Sequence, residues 1–188
     1  MKSGILGGSF NPIHHGHLII ATRVAETLGL DRVLLIPTAL SPLKRPEDLA
    51  PARDRWAMVR LAVRGSRLLE ASDLEIRRGG TSYTVETLEA LKREHAGALY
   101  LVVGEDAARL LPRWRSVKAV RRLATMVVAR RGGHRSMEKL PKDMIVDVPL
   151  LEISSTEIRE RVKRGLSIRY LVPEAVERYI RRKRLYRR

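Results

Sequence analysis

Cysteine is absent from the 188 residues. Its absence excludes disulfides, thiolate nucleophiles and sulfur-ligated metals, and leaves any chemistry to histidine, carboxylates and backbone. Aromatic residues are scarce, at 4% with one phenylalanine and two tryptophans. A nucleic-acid surface built from stacked rings among basic residues is therefore disfavoured. No apolar run approaches the roughly 18 residues that a membrane span needs, and MKSGILGG is too brief for a secretory signal, so the expected location is cytoplasmic. Negative charge is also in deficit: 21 acidic residues face 37 basic ones, a net charge of +16 that attracts polyanions and phosphorylated small molecules. The last twelve residues, ERYIRRKRLYRR, hold seven of the basic residues and one acidic, and read as a solvated, nonspecifically sticky tail.

What is present organises one core. At 44% hydrophobic content the chain reads as a single domain over 1–188, with 150–188 a helical C-terminal portion carrying the basic tail. Short aliphatic runs at 3–8, 31–38, 98–104, 124–130 and 144–149 resemble strands buried on both faces. Helical spacing appears at about 14–28, 52–64, 83–95, 116–123, 154–164 and 173–184, and LLEASDLEIRRGG has room for a further short strand and turn. Alternation of this kind predicts an α/β fold: a doubly wound, mainly parallel sheet of five to six strands with helices on both faces. GGHRSMEKLPKD (132–143) reads as a long surface loop. Ligands on such sheets bind beyond the carboxyl ends of the strands. Gly7-Gly8, Pro37 to Lys44, Gly104 to Asp106 and Ile153 to Arg159 all follow strands, so they are expected on one edge.

Residues 7–17, GGSFNPIHHGH, hold three of the five histidines. Gly7 and Gly8 let backbone approach a bulky ligand, Asn11-Pro12 make a turn, and a helix starting near His14 offers amides to phosphate. Neither a dinucleotide fingerprint nor a P-loop is present. His14 and His17, three apart, would share a helical face and could donate hydrogen bonds to charge building on a phosphoryl group, with His15 rotated away. A zinc site would need a third protein ligand and finds no Glu between the histidines. Lys44 sits on a loop stiffened by Pro37 and Pro42, where it can meet phosphate. Ser154 to Glu157 fits a capping box, and Arg159 lies one turn inside that helix. Trp114, between Pro112 and Arg115 in an expected loop, could stack an exposed indole on a flat ring. Trp56 reads as core.

Six motifs in order, GGSFNPIHHGH, PTALSPLK, RRGGTSYTVETL, VVGEDAARLLPRW, VVARRGG and ISSTEIR, resemble those of the HxGH nucleotidyltransferases, and together those of the bacterial nicotinate-nucleotide adenylyltransferase family. The resemblance implies a Rossmann-like fold and transfer of the adenylyl group of ATP to nicotinate mononucleotide, with Mg²⁺ accompanying ATP. It implies catalytic roles for His14, His17, Lys44 and Arg159. It further implies ATP contacts at Gly7, Gly8, Ser9, Phe10, His17, Gly104, Asp106, Ser155, Thr156 and Arg159. Mononucleotide contacts would come from Thr38, Lys44, Thr81, Ser82, Tyr83 and Trp114, and the carry-over makes no residue a metal ligand. Two positions depart from the pattern: Leu43 stands where the family usually has His, and Glu105 where a small residue is common. Nicotinamide mononucleotide or phosphopantetheine are alternative acceptors, and a basic RNA-binding protein is a more distant alternative. A homo-oligomer is compatible with the sequence, which does not assign one.

Overall fold

The computed structural model describes residues 1–41, 47, 49–94, 96–132 and 143–187. Along the chain run β1 (Lys2–Gly8), α1 (His15–Leu28), β2 (Arg32–Pro37), α2 (Ala52–Val63), β3 (Leu69–Ala71), α3 (Leu74–Arg78) and α4 (Thr84–Glu94). The second half continues with β4 (Ala98–Gly104), α5 (Glu105–Arg109), a 3-10 turn (Leu111–Arg113), α6 (Val117–Leu123), β5 (Thr125–Arg131), β6 (Met144–Val148), α7 (Ser155–Lys163) and α8 (Glu174–Lys183). The strands form one sheet in the order β3-β2-β1-β4-β5-β6. Every pairing is parallel, so the expected doubly wound sheet is present without an antiparallel member.

The runs of β1, β2, β4 and β5 are strands covered on both sides, whereas β6, at the sheet edge, buries only Val146 and Val148. With a period of two, Ile5 and Leu6 point to opposite faces, as do Leu34 and Leu35 in β2. One face buries Leu6, Leu35, Val102 and Val127 beneath α1, α2, α7 and α8; the other buries Ile5, Leu34, Leu101 and Val128 beneath α4, α5 and α6. Helix ends follow local chemistry. Gly29, at φ 57°, closes α1 with its N–H returned to the carbonyls of Ala25 and Glu26. Ser154 caps α7, its hydroxyl accepting from the Glu157 amide at 3.1 Å.

Three sequence expectations change. LLEASDLEIRRGG holds the short strand β3, paired to β2, and the five-residue helix α3 rather than a plain turn. The basic tail is not simply solvated: Ile180 is buried, and Leu185 and Tyr186 pack against the same core. Trp56 is half-buried beside Arg60, whose guanidinium lies 6.0 Å from the ring centroid; Met58 and Val59 take the core positions of α2. Most of the loop expected at 132–143 lies outside the described residues. Among the described residues no helix is long and apolar enough to cross a membrane.

Candidate active site

Sheet order reverses between β1 and β4, where a doubly wound sheet opens its crevice. Glycines end both strands there. A Cβ built on Gly7 or on Gly104 would meet nothing within 4 Å, so space stands open above the switch point. The clusters expected on one edge follow the carboxyl ends of β1, β2, β4 and β6, with Pro42 to Lys44 of the second outside the described residues.

From Gly8 the chain turns sharply into α1. Phe10 takes a left-handed φ of 43° with its ring 1% exposed, and Asn11, also 1% exposed, leads through Pro12 to His14. His14 is the extended N-cap of α1 and not a first-turn residue, so the two histidines meet through capping geometry and not through helical spacing. Nδ1 of His17 accepts the His14 backbone N–H at 3.3 Å. That bond leaves the proton of a neutral His17 on Nε2, the nitrogen able to donate to a phosphate oxygen. The two rings lie 3.7 Å apart between centroids, and the Phe10 ring meets His17 edge-on at 5.0 Å. Gly16 leaves room for this pairing: a Cβ there would fall 3.0 Å from His14 Nδ1, so the ring would have to shift. His15 stands apart, its amide donating to the Leu171 carbonyl at 3.0 Å.

A residue that sequence reasoning passed over holds the loops behind the histidines. Arg55 of α2 is 1% exposed. Its guanidinium donates to the carbonyls of Ser9 at 2.9 Å, Thr38 at 2.7 Å, Ala39 at 2.9 Å and Ala50 at 2.9 Å. One planar fork thus ties the loop after β1 to the loop after β2. Burial draws its pKa below the usual arginine value, although the group stays charged. Beside it, the Thr38 hydroxyl oxygen is buried and has no hydrogen-bond partner among the described residues. Lys44 and Leu43 lie outside the described residues.

The ISSTEIR helix packs against the loop that carries the histidines. Ser155 Oγ donates to the Pro12 carbonyl at 2.8 Å, and Arg159 donates to the Asn11 carbonyl at 2.9 Å and to Thr156 Oγ1 at 3.2 Å. α7 therefore holds the histidine loop as well as facing the crevice. Asn11 Oδ1 accepts two further bonds, from the Ala50 amide at 3.0 Å and from the Tyr186 hydroxyl at 2.9 Å. Sequence reasoning gave Asn11 only a turn and Tyr186 nothing.

The other side carries the flat groups. Leu40 bridges Thr81, the Ser82 amide donates to the Leu40 carbonyl at 2.9 Å, and Ser82 Oγ accepts from the Ala39 amide at 3.0 Å. Ser82 is thus buried as a latch between segments, whereas Thr81 is exposed. Tyr83 is half-buried with the Arg115 guanidinium 4.4 Å above its ring, and Arg115 also pairs with Glu86 at 3.3 Å. Trp114 follows the 3-10 turn and is half-buried on the α4 and α6 face, where an exposed indole was expected. Asp106 is exposed in the first turn of α5. Among the described residues no group of three or more histidine and carboxylate side chains could hold a metal ion.

The comparisons agree with this geometry. A cytidylyltransferase-like family model matches residues 5–161. A relative from Synechococcus sp. (strain JA-3-3Ab), named "probable nicotinate-nucleotide adenylyltransferase", is 46% identical, covering 98% of this chain and 94% of its own length. A relative of the same name from Roseiflexus sp. (strain RS-1) is 45% identical over 98% of this chain and 97% of its own. Among solved structures, the Plasmodium falciparum nicotinic acid mononucleotide adenylyltransferase complexed with NaAD aligns with a TM-score of 0.81 at 21% identity, covering 98% and 97% of the two chains, and so shares the fold. With relatives this similar across nearly its full length, the chain belongs to the nicotinate-nucleotide adenylyltransferase family within the cytidylyltransferase-like group.

Proposed function

We propose that this protein transfers the adenylyl group of ATP to nicotinate mononucleotide, forming nicotinate adenine dinucleotide and pyrophosphate in the cytoplasm. The observation that carries the proposal is the His14 and His17 pair, 3.7 Å between centroids with the rings tilted 33°, at the mouth of α1 beside the open ends of β1 and β4. A phosphate oxygen of the mononucleotide attacks the α-phosphorus of ATP in line. The bond from that phosphorus to the bridging oxygen breaks, and pyrophosphate leaves with the electron pair. No protein nucleophile is needed, so the chain's task is to position and to stabilise charge. Nε2–H of His17 and the first amides of α1 donate to the oxygens on which charge builds. Arg159 commits two donors to Asn11 and Thr156, and its fork has others for the β- and γ-phosphates. Lys44 adds a cation from the far loop.

Gly7, Gly8, Gly104 and Asp106 line the side for the adenosine portion, and Ser155 and Thr156 face the triphosphate. Thr38, Thr81, Tyr83 and Trp114 take the mononucleotide, the indole stacking on the pyridine ring. Arg115, above Tyr83, places a cation near that ring and favours a carboxylate on it; Glu86 balances part of the charge, so the amide nucleotide is the competing acceptor. Mg²⁺ fits as a passenger of the triphosphate, because it keeps several waters and takes few protein ligands. The ion would neutralise phosphate charge without a protein carboxylate ligand.

The test supplies ATP and Mg²⁺ with nicotinate mononucleotide, nicotinamide mononucleotide or phosphopantetheine in parallel, and measures pyrophosphate release. Fastest release with the nicotinate acceptor is expected. Faster release with phosphopantetheine would overturn the substrate assignment, and none with any acceptor would overturn the reaction.

A further inference from the structure

The chain's last residues return to the loop that carries the histidines. After α8, Arg184 and Tyr186 take left-handed φ values of 52° and 62°, and the Leu185 amide donates to the Ile180 carbonyl at 3.1 Å. Left-handed backbone at two non-glycine residues is costly, and it persists only where surrounding contacts over-determine it. The contacts are apolar packing of Leu185 and Tyr186 on the core, and one polar bond: the Tyr186 hydroxyl donates to Asn11 Oδ1 at 2.9 Å.

Asn11 is a junction of three distant segments. Its Oδ1 receives Tyr186 from the C-terminal turn and the Ala50 amide from the lead into α2; its backbone carbonyl receives Arg159 from α7. Both oxygens belong to a residue 1% exposed, three positions before His14 and one after Phe10. Burial pushes the Tyr186 phenol far above its usual range, so the hydroxyl keeps its proton and remains a donor.

We infer that Tyr186 is a positioning residue for adenylyl transfer: through Asn11 it sets the loop that aims His14, His17 and Arg159 at the ATP phosphates. The inference rests on the proposed function for the identity of the reaction but adds a residue outside every motif of that site. A hydrogen bond from the tail to the body could also serve only to hold the tail down. The two roles separate experimentally, because the Ala50 and Arg159 bonds remain when the phenol oxygen is removed, so the fold survives while the loop loosens.

The variant is Tyr186→Phe in the full chain. Expected are a melting temperature within about two degrees of the parent, a kcat lowered about fivefold, and about fivefold weaker binding of an unreactive ATP analogue, with KM for the mononucleotide unchanged. Asn11→Ala, alone and combined with Tyr186→Phe, gives the coupling: if Tyr186 acts through Asn11, the double variant binds the analogue no more weakly than Asn11→Ala alone. Unaltered analogue affinity in Tyr186→Phe overturns the inference, as does a simple product of the two effects in the double variant. Analogue binding needs no acceptor, so these results stand whether or not pyrophosphate release supports the proposed reaction.

Discussion

The two halves of the crevice are built by different means. On the histidine side, Asn11, Arg55, Ser155, Arg159 and Tyr186 interlock the loop after β1 with α2, α7 and the C-terminal turn. Arg55 comes from the 12-residue α2 and Ser155 and Arg159 from the nine-residue α7, while Asn11 and Tyr186 stand in the turns before α1 and after α8. On the opposite side, Tyr83 and Trp114 are half-buried on the rim of the second core, Tyr83 just before the 11-residue α4 and Trp114 just after a three-residue 3-10 turn. Charge stabilisation in flight needs donors fixed before the reaction, whereas stacking on a flat ring tolerates sliding. Under the proposed function the tightly bonded half would meet the phosphates, where geometry controls rate, and the other half the pyridine ring, where area controls affinity.

The sharpest way to break that contrast is His17→Ala. A kcat reduced about thousandfold, roughly 4 kcal/mol, is expected with little change in melting temperature, checked by pyrophosphate release and thermal unfolding. Next comes Arg55→Met, which leaves four backbone carbonyls without their donor. Loss of about 3 kcal/mol of stability should follow, read as a lowered urea midpoint. On the opposite side, Trp114→Ala should raise KM for the mononucleotide about tenfold, worth about 1.4 kcal/mol, and leave KM for ATP unchanged. A comparable rise in both would mean that the halves are not separate. The smallest effect is expected from Ser154→Ala, which removes the cap of α7 and should cost about 1 kcal/mol in thermal unfolding.

Much of this was legible in the amino-acid sequence, for identifiable reasons. Strands buried on both faces announce themselves as unbroken aliphatic runs, as β1, β2, β4 and β5 did; β6, an edge strand broken by the exposed Asp147, showed only as a shorter apolar stretch. β3, three residues long, and α3 and α5, five each, are too short for any period to emerge. The histidine pair was visible as a pair, but its mechanism was not. Spacing of three suggests a shared helical face, while the observed contact comes from His14 standing outside the helix as its cap.

Arg55 shows the limit more clearly. Within ARDRWAMVRLAV an arginine reads as solvated charge, and nothing local separates it from Arg53 or Arg60. It is buried because carbonyls of Ser9 and Thr38, 46 and 17 residues away in sequence, converge on one point when the sheet forms. Tyr186 is hidden for the same reason. Its partner Asn11 lies 175 residues earlier, and the surrounding RRKRLYRR has the composition of a free tail. Motif matching locates groups that meet ligand; the groups that hold them are set by topology.

The most direct measurement is a crystal structure of the protein with an unreactive ATP analogue, Mg²⁺ and nicotinate mononucleotide. An α-phosphate oxygen about 3 Å from His17 Nε2, with His14 stacked behind it and the acceptor phosphate in line, is the expected result. An α-phosphate bound beyond hydrogen-bond reach of both imidazoles would contradict the account.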